Sequence, residues 1–252
     1  MKLIVDGLAT EYKDEGKKNA KVMLLLHGWQ STHRTFDKIL PNLSKKYRVV
    51  RLDLPGFGAS ELPDKPWNLD NYISFIADFL EKLKIKSVEI IVGHSMGGRI
   101  SIKAVGGGQL RPKKLVLIGS HGIRESKRLR NRVYWLAAKA GKVATLPLPS
   151  KYKERLRGKL YKSAGATDYI HAGTMSQTFS NVIKEDVRPE AAMISTPTLL
   201  IYGQNDTQTP PHYARIFQKL IDGSKLELIP NSGHHTHEEE PQKVADLILK
   251  FK

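Results

Sequence analysis

The residues best placed to do chemistry are Gly93-His94-Ser95-Met96-Gly97, followed by Gly98. The apolar run Val88–Val92 precedes them and a helical pattern over Met96–Val105 follows, so Ser95 is predicted on a tight strand-to-helix turn. Such a turn strains the backbone and admits only small residues two positions to either side. It also lifts the hydroxyl clear of the sheet and sets it at a helix N-terminus, where the dipole favours negative charge. A serine hydroxyl is a weak nucleophile, so it needs a base and a group that orients the base. Of the nine histidines, His234 follows the run Leu226–Ile229 through Pro230-Asn231-Ser232-Gly233. Asp206 follows Leu199–Tyr202 through Gly203-Gln204-Asn205. Both positions lie just beyond the C-terminal end of a strand, where ligand and catalytic groups of open α/β sheets collect. Ser95, His234 and Asp206 are therefore the candidate nucleophile, base and orienting acid. The chemistry is attack on an acyl carbonyl, a tetrahedral intermediate and an acyl-enzyme opened by water. It calls for a small-molecule acyl substrate and no cofactor.

The elements that must hold these residues are legible in the periodicity. Val22–Leu26, Val49–Leu52, Val88–Val92, Leu115–Ile118, Leu199–Tyr202 and Leu226–Ile229 read as buried strands. Between them, Thr32–Leu43, Leu69–Leu83, Met96–Val105, His212–Leu220 and Pro241–Phe251 read as helices. Alternation of strand and helix predicts an α/β fold with a mostly parallel sheet flanked by helices. Lys2–Lys13 reads as an antiparallel hairpin at its edge. From Gly122 to Glu190 no buried strand is legible, only helical stretches at Glu125–Ala140, Lys151–Ser163 and Thr167–Ile183. The expected organisation is a core of residues 1–121 and 191–252 with a helical insertion at 122–190.

The chain resembles the α/β-hydrolase superfamily, in its small, cap-bearing serine esterase-like branch. Five ordered motifs carry the resemblance: His27-Gly28-Trp29, Asp53-Leu54-Pro55-Gly56-Phe57-Gly58-Ala59-Ser60, the turn Gly93–Gly97, Pro197 to Asp206, and Gly233-His234 with Glu240-Pro241. The resemblance implies Ser95 as nucleophile, His234 as general base and then acid, and Asp206 as the carboxylate fixing its tautomer. It implies an oxyanion hole from the backbone N–H groups of Trp29 and Met96. It makes the insertion a cap, and His27 a structural residue of its loop. Dehalogenases and epoxide hydrolases of this family place Asp at the turn. Ser95 favours esters, thioesters and lactones instead. Relatives use the same triad for carbon–carbon bond hydrolysis or a menaquinone-pathway lyase step, and Ser95-Met96-Gly97-Gly98-Arg99 is similar to the last group. A ligand-binding protein with little turnover is the alternative from another class.

Other features carry less. His234-His235-Thr236-His237 with Glu238–Glu240 suggests a metal site, but adjacent histidines rarely face one ion, so no metal is expected and His235 and His237 are read as lid-facing or surface residues. Arg99 reads as a solvated or structural helix residue. Gly106-Gly107-Gly108 reads as a helix C-cap and turn, lacking the Lys-Ser/Thr of a phosphate loop. Trp29, His121, Tyr134, Trp135, Met175 and Phe179, with Tyr152 and Tyr161, are candidates to line the substrate pocket.

The 252 residues contain no Cys, which excludes a disulfide scaffold, a Cys-liganded metal and a Cys nucleophile. Met1 to Asp6 is too short in apolar residues for a signal peptide, and no run is long enough to span a membrane. A soluble, cytoplasmic protein without integral membrane association is expected, with its oligomeric state open. The net charge of +16 first suggests nucleic acid, but its distribution argues otherwise. Residues 121–190 hold 15 basic and 6 acidic residues, net +9, and 191–252 hold 6 and 7, net −1. No nucleic-acid motif accompanies this charge. If the insertion covers the active-site entrance, as in family members, its charge steers anionic substrates or maintains solubility.

Overall fold

The computed structural model describes residues 1–124 and 173–251. The chain divides into two compact units, Met1–Ile123 with Glu185–Lys252, and Arg124–Lys184. In chain order the strands are β1 (Lys2–Val5), β2 (Leu8–Glu15), β3 (Val22–Leu26), β4 (Arg48–Leu52), β5 (Ile90–His94), β6 (Lys114–Ile118), β7 (Thr198–Gly203) and β8 (Lys225–Ile229). The described α-helices are α1 (Leu40–Leu43), α2 (Leu69–Lys82), α3 (Met96–Gly106), α4 (Ser176–Lys184), α5 (Arg188–Ala191), α6 (Pro211–Leu220), α7 (Thr236–Glu239) and α8 (Pro241–Lys250).

The first unit is built on one sheet in the order β1-β2-β4-β3-β5-β6-β7-β8. The hairpin β1–β2 and the β2–β4 pair are antiparallel, and every other pair is parallel. This is the α/β fold with a mostly parallel sheet that the alternation predicts, and it agrees with the α/β-hydrolase fold that the resemblance implies. β3 is buried along its whole length, as a central parallel strand with covered faces must be. Its Met23 and Leu25 share a core with Phe36, Val92, Val116, Ile201 and Ile248. The apolar face of α2 is fixed at its start by a capping box between Asn68 and Asn71.

Several boundaries differ from the sequence reading. β8, read as buried, is an edge strand whose residues alternate between exposed and half-buried before the buried Ile229. Thr32–Leu43 is not one helix but a 3-10 turn, His33–Phe36, followed by α1, because Pro41 lacks the N–H to continue and starts a new helix instead. The β5 ladder begins at Ile90 and runs to His94, so Ser95 follows it directly. The second boundary between units falls before Glu185 rather than after Glu190. Glu185 accepts from Leu69 N at 2.9 Å and from Lys103 Nζ at 2.7 Å, and Val187 N donates to Gly122 O at 2.9 Å, which ties this segment to α2 and α3. In the second unit, a 3-10 turn at Gly173–Met175 precedes α4. The helices expected at Glu125–Ala140 and Lys151–Ser163 lie outside the described residues, as do Tyr134, Trp135, Tyr152 and Tyr161. Among the described residues, no helix is long and apolar enough to cross a membrane.

Candidate active site

Adjacent parallel strands deliver the candidate residues to one edge of the sheet. The C-terminal ends of β3, β4, β5, β6, β7 and β8 lead into His27-Gly28-Trp29, Asp53, Ser95, Gly119 to His121, Asp206 and His234 respectively. At the end of β5, Ser95 adopts φ 50° and ψ −111°, a conformation rare for a residue with a side chain. Such strain costs about 1–3 kcal/mol and persists only where the surroundings enforce it. Here they do: Ser95 N donates to Ile118 O at 3.0 Å, and Arg99 N returns to Ser95 O at 3.0 Å. The flanking glycines allow the turn. A Cβ on Gly93 would meet Gly97 O at 2.6 Å, and one on Gly97 would meet Leu26 O at 2.1 Å. Met96 opens α3 immediately beyond, and its side chain is buried.

Asp206 and His234 are brought together from β7 and β8. His234 Nδ1 lies 2.9 Å from Asp206 Oδ2. The other carboxylate oxygen accepts from the backbone N–H groups of Gln208 and Thr209, each at 2.8 Å. Burial alone would raise the Asp206 pKa, but the bond and charge of His234, with the Thr209 donors, hold it below the usual carboxylate value. Asp206 therefore remains an anion facing Nδ1–H, which leaves the lone pair of His234 on Nε2. Thr209 was not singled out from the sequence. Its hydroxyl donates to Asp206 Oδ2 at 2.6 Å, with Gly119 O at 3.0 Å and His234 Nδ1 at 3.1 Å. The legible signal was its place three residues after Asp206, where a Thr can close a turn on the acid. The strand-to-helix turn around Ser95, an elbow in the chain, also meets the loop that bears His234, since His94 Nε2 lies 3.1 Å from His234 O and the two rings are 4.9 Å apart.

The remaining candidates separate. Trp29 is half-buried, its ring edge-on to Phe57 at 4.9 Å. His27 uses both nitrogens in its loop: Nδ1 donates to Gly28 O at 2.7 Å and Nε2 accepts from Leu54 N at 2.9 Å. Burial lowers its pKa to about 4. His121 Nδ1 accepts from Arg99 Nη2 at 2.9 Å and from Gly122 N at 2.7 Å, which puts its proton on Nε2. Burial and the Arg99 charge lower the His121 pKa to about 3. Arg99 is thus not a solvated residue; it is buried, and although burial lowers its pKa to about 10 it stays charged at neutral pH. His237 is not a surface residue either. It is fully buried on α7, its ring 5.2 Å from that of Phe36 and its Nε2 2.8 Å from Thr35 Oγ1, because the short helix turns it inward. Met175 is buried and Phe179 half-buried in the second unit.

The sequence profile of the alpha/beta hydrolase fold matches residues 21–241. The chain belongs to the α/β-hydrolase family. It is 27% identical over 261 residues to the 2-hydroxy-6-oxo-6-(2'-aminophenyl)hexa-2,4-dienoic acid hydrolase of Metapseudomonas resinovorans, covering 97% of this chain and 88% of that one. It is 27% identical over 231 residues to the pimeloyl-[acyl-carrier protein] methyl ester esterase of Nitrosomonas europaea, covering 86% and 89%. The enol-lactonase from Burkholderia xenovorans LB400 superposes with a TM-score of 0.77 at 22% identity, covering 100% of this α/β hydrolase and 99% of the lactonase. The relatives of this α/β hydrolase thus include an esterase and a hydrolase of a dienoic acid.

Proposed function

We propose that this α/β hydrolase is a serine hydrolase that cleaves an ester, thioester or lactone of a small molecule through an acyl-enzyme. The observation that carries the reading is a serine held at φ 50° after β5 and a hydrogen-bonded Asp206–His234 pair after β7 and β8, all at the C-terminal ends of strands of one sheet. In this mechanism His234 Nε2 takes the proton from Ser95 Oγ as the oxygen attacks the acyl carbon. The imidazolium so formed is held by the Asp206 carboxylate, then protonates the leaving group. The backbone N–H groups of Met96 and Trp29 are assigned to the oxyanion, Met96 because it stands at the N-terminus of α3. Water repeats the sequence on the acyl-enzyme. The likeness to the methyl ester esterase supports this class of bond.

A second reading, carbon–carbon bond hydrolysis or a lyase step on an anionic substrate, is favoured by the Arg99–His121 pair. Arg99 lies one helical turn beyond Ser95 and places a buried guanidinium 2.9 Å from His121. The M. resinovorans relative acts, by its name, on a carboxylic acid. Ser95→Ala separates these readings from a ligand-binding role. The wild-type protein should turn over a short p-nitrophenyl ester and take a fluorophosphonate adduct on Ser95, and the variant should do neither while melting normally. Retained turnover in the variant refutes the mechanism, and a wild-type protein without turnover or adduct favours binding alone.

A further inference from the structure

Three imidazoles outside the Asp206–His234 pair converge behind the nucleophile. His94 ends β5, His235 follows His234, and His237 lies on α7. One ring nitrogen from each lies within 4.8 Å of one from the other two. The His94 ring centroid is 4.5 Å from that of His237 and 5.2 Å from that of His235. His94 and His237 are buried, whereas 45% of the His235 side chain is exposed although its Nδ1 is buried.

Hydrogen bonding fixes the proton in the two buried rings. His94 Nε2 faces the carbonyl of His234, which can only accept, so Nε2 carries the proton. His237 Nε2 faces Thr35 Oγ1, whose own proton goes to the Glu238 carboxylate, so this Nε2 is also the donor. In each ring Nδ1 is left as a bare lone pair. Among the described residues, Nδ1 of His94, His237 and His235 has no hydrogen-bond partner. A buried polar atom left unsatisfied is costly, and three in one cluster call for an explanation. A neutral imidazole whose other nitrogen donates to a carbonyl or hydroxyl is the form in which histidine binds metal. Glu238 adds a nearby negative charge, its Oε1 3.8 Å from both His235 Nδ1 and His237 Nε2.

We propose that His94, His235 and His237 form a binding site for a borderline transition-metal ion of the Zn²⁺ type. Zinc–nitrogen bonds of about 2.0–2.1 Å would draw the three nitrogens closer than they now stand. The half-exposed His235 has the freedom to make that movement. The ion would sit one residue from both Ser95 and His234. On the reading of His234 as the catalytic base, its charge opposes the imidazolium, so zinc would inhibit turnover reversibly.

The test is a zinc titration of the chelator-treated full chain in competition with a chromophoric chelator, which reads binding without activity. One equivalent of Zn²⁺ should bind in the micromolar range or tighter. Affinity should fall at least tenfold in His235→Ala and in His235→Gln, whose exposed position keeps the fold intact by thermal melt. It should be unchanged in Ser95→Ala and His234→Ala. Absence of saturable binding by the wild-type chain overturns the proposal. So does loss of binding in His234→Ala with retention in both His235 variants, which would assign the ion to the catalytic imidazole. Zinc binding without inhibition leaves the site standing and counts instead against His234 as the base.

Discussion

Asp206→Asn tests the candidate site most sharply, because its consequence can be worked through atom by atom. Oδ1 of Asp206 accepts two backbone N–H groups, from Gln208 and Thr209, each at 2.8 Å. An amide nitrogen cannot accept, so the asparagine must place its oxygen there and turn its NH₂ toward His234 Nδ1. Nδ1, 2.9 Å away in the parent, then becomes the acceptor and the imidazole proton moves to Nε2. An imidazole in that tautomer cannot take the proton of Ser95. The same exchange in a serine protease triad lowers kcat about 10⁴-fold, equivalent to roughly 5 kcal/mol of transition-state stabilisation. The expected result here is a kcat loss of that order on p-nitrophenyl acetate with KM little changed. Stability should fall by only about 1–3 kcal/mol, the scale of one charge-assisted hydrogen bond. Nitrogen NMR of His234 reports the tautomer directly. A kcat loss under tenfold, or an asparagine variant still protonated at Nδ1, refutes the reasoning.

Two further expectations rest on other observations. The buried imidazoles of His27 and His121 have pKa values lowered to about 4 and about 3 from 6.5, so between those values and 6.5 the unfolded chain binds more protons than the folded one. Stability therefore rises with pH through this window and is lost as pH falls below 6.5, by about 2 kcal/mol for each group at pH 5. Urea midpoints at pH 7.5 and pH 5 measure this, and equal midpoints would mean that the two rings titrate normally. Thr209→Val removes the 2.6 Å donor to Asp206 while keeping both backbone N–H bonds to the other oxygen. It should lower kcat about tenfold, on the scale of a 1–1.5 kcal/mol hydrogen bond, with KM unchanged. An unaltered kcat would show that Thr209 has no part in orienting the pair.

The buried parallel strands are legible in the sequence, and Ser95, Asp206 and His234 are read from it as candidates, because both readings rest on local patterns. Apolar runs between helical stretches specify buried parallel strands, and a small-residue turn around Ser95 specifies the elbow whatever surrounds it. Asp206 and His234 were legible because chain position alone puts them at strand ends on one edge. Where a neighbour decides, the pattern failed. β8 is half-exposed because it is the last strand in the sheet, and sheet order is set by long-range pairing. Arg99 reads as a solvated or structural helix residue, and which of the two holds is decided by its burial against His121, a partner from the end of β6. His235 and His237 read as lid-facing or surface residues because adjacent histidines seldom converge. Only the tertiary structure supplied the third ring, His94, from a strand about 140 residues earlier, and with it a cluster that no local spacing encodes.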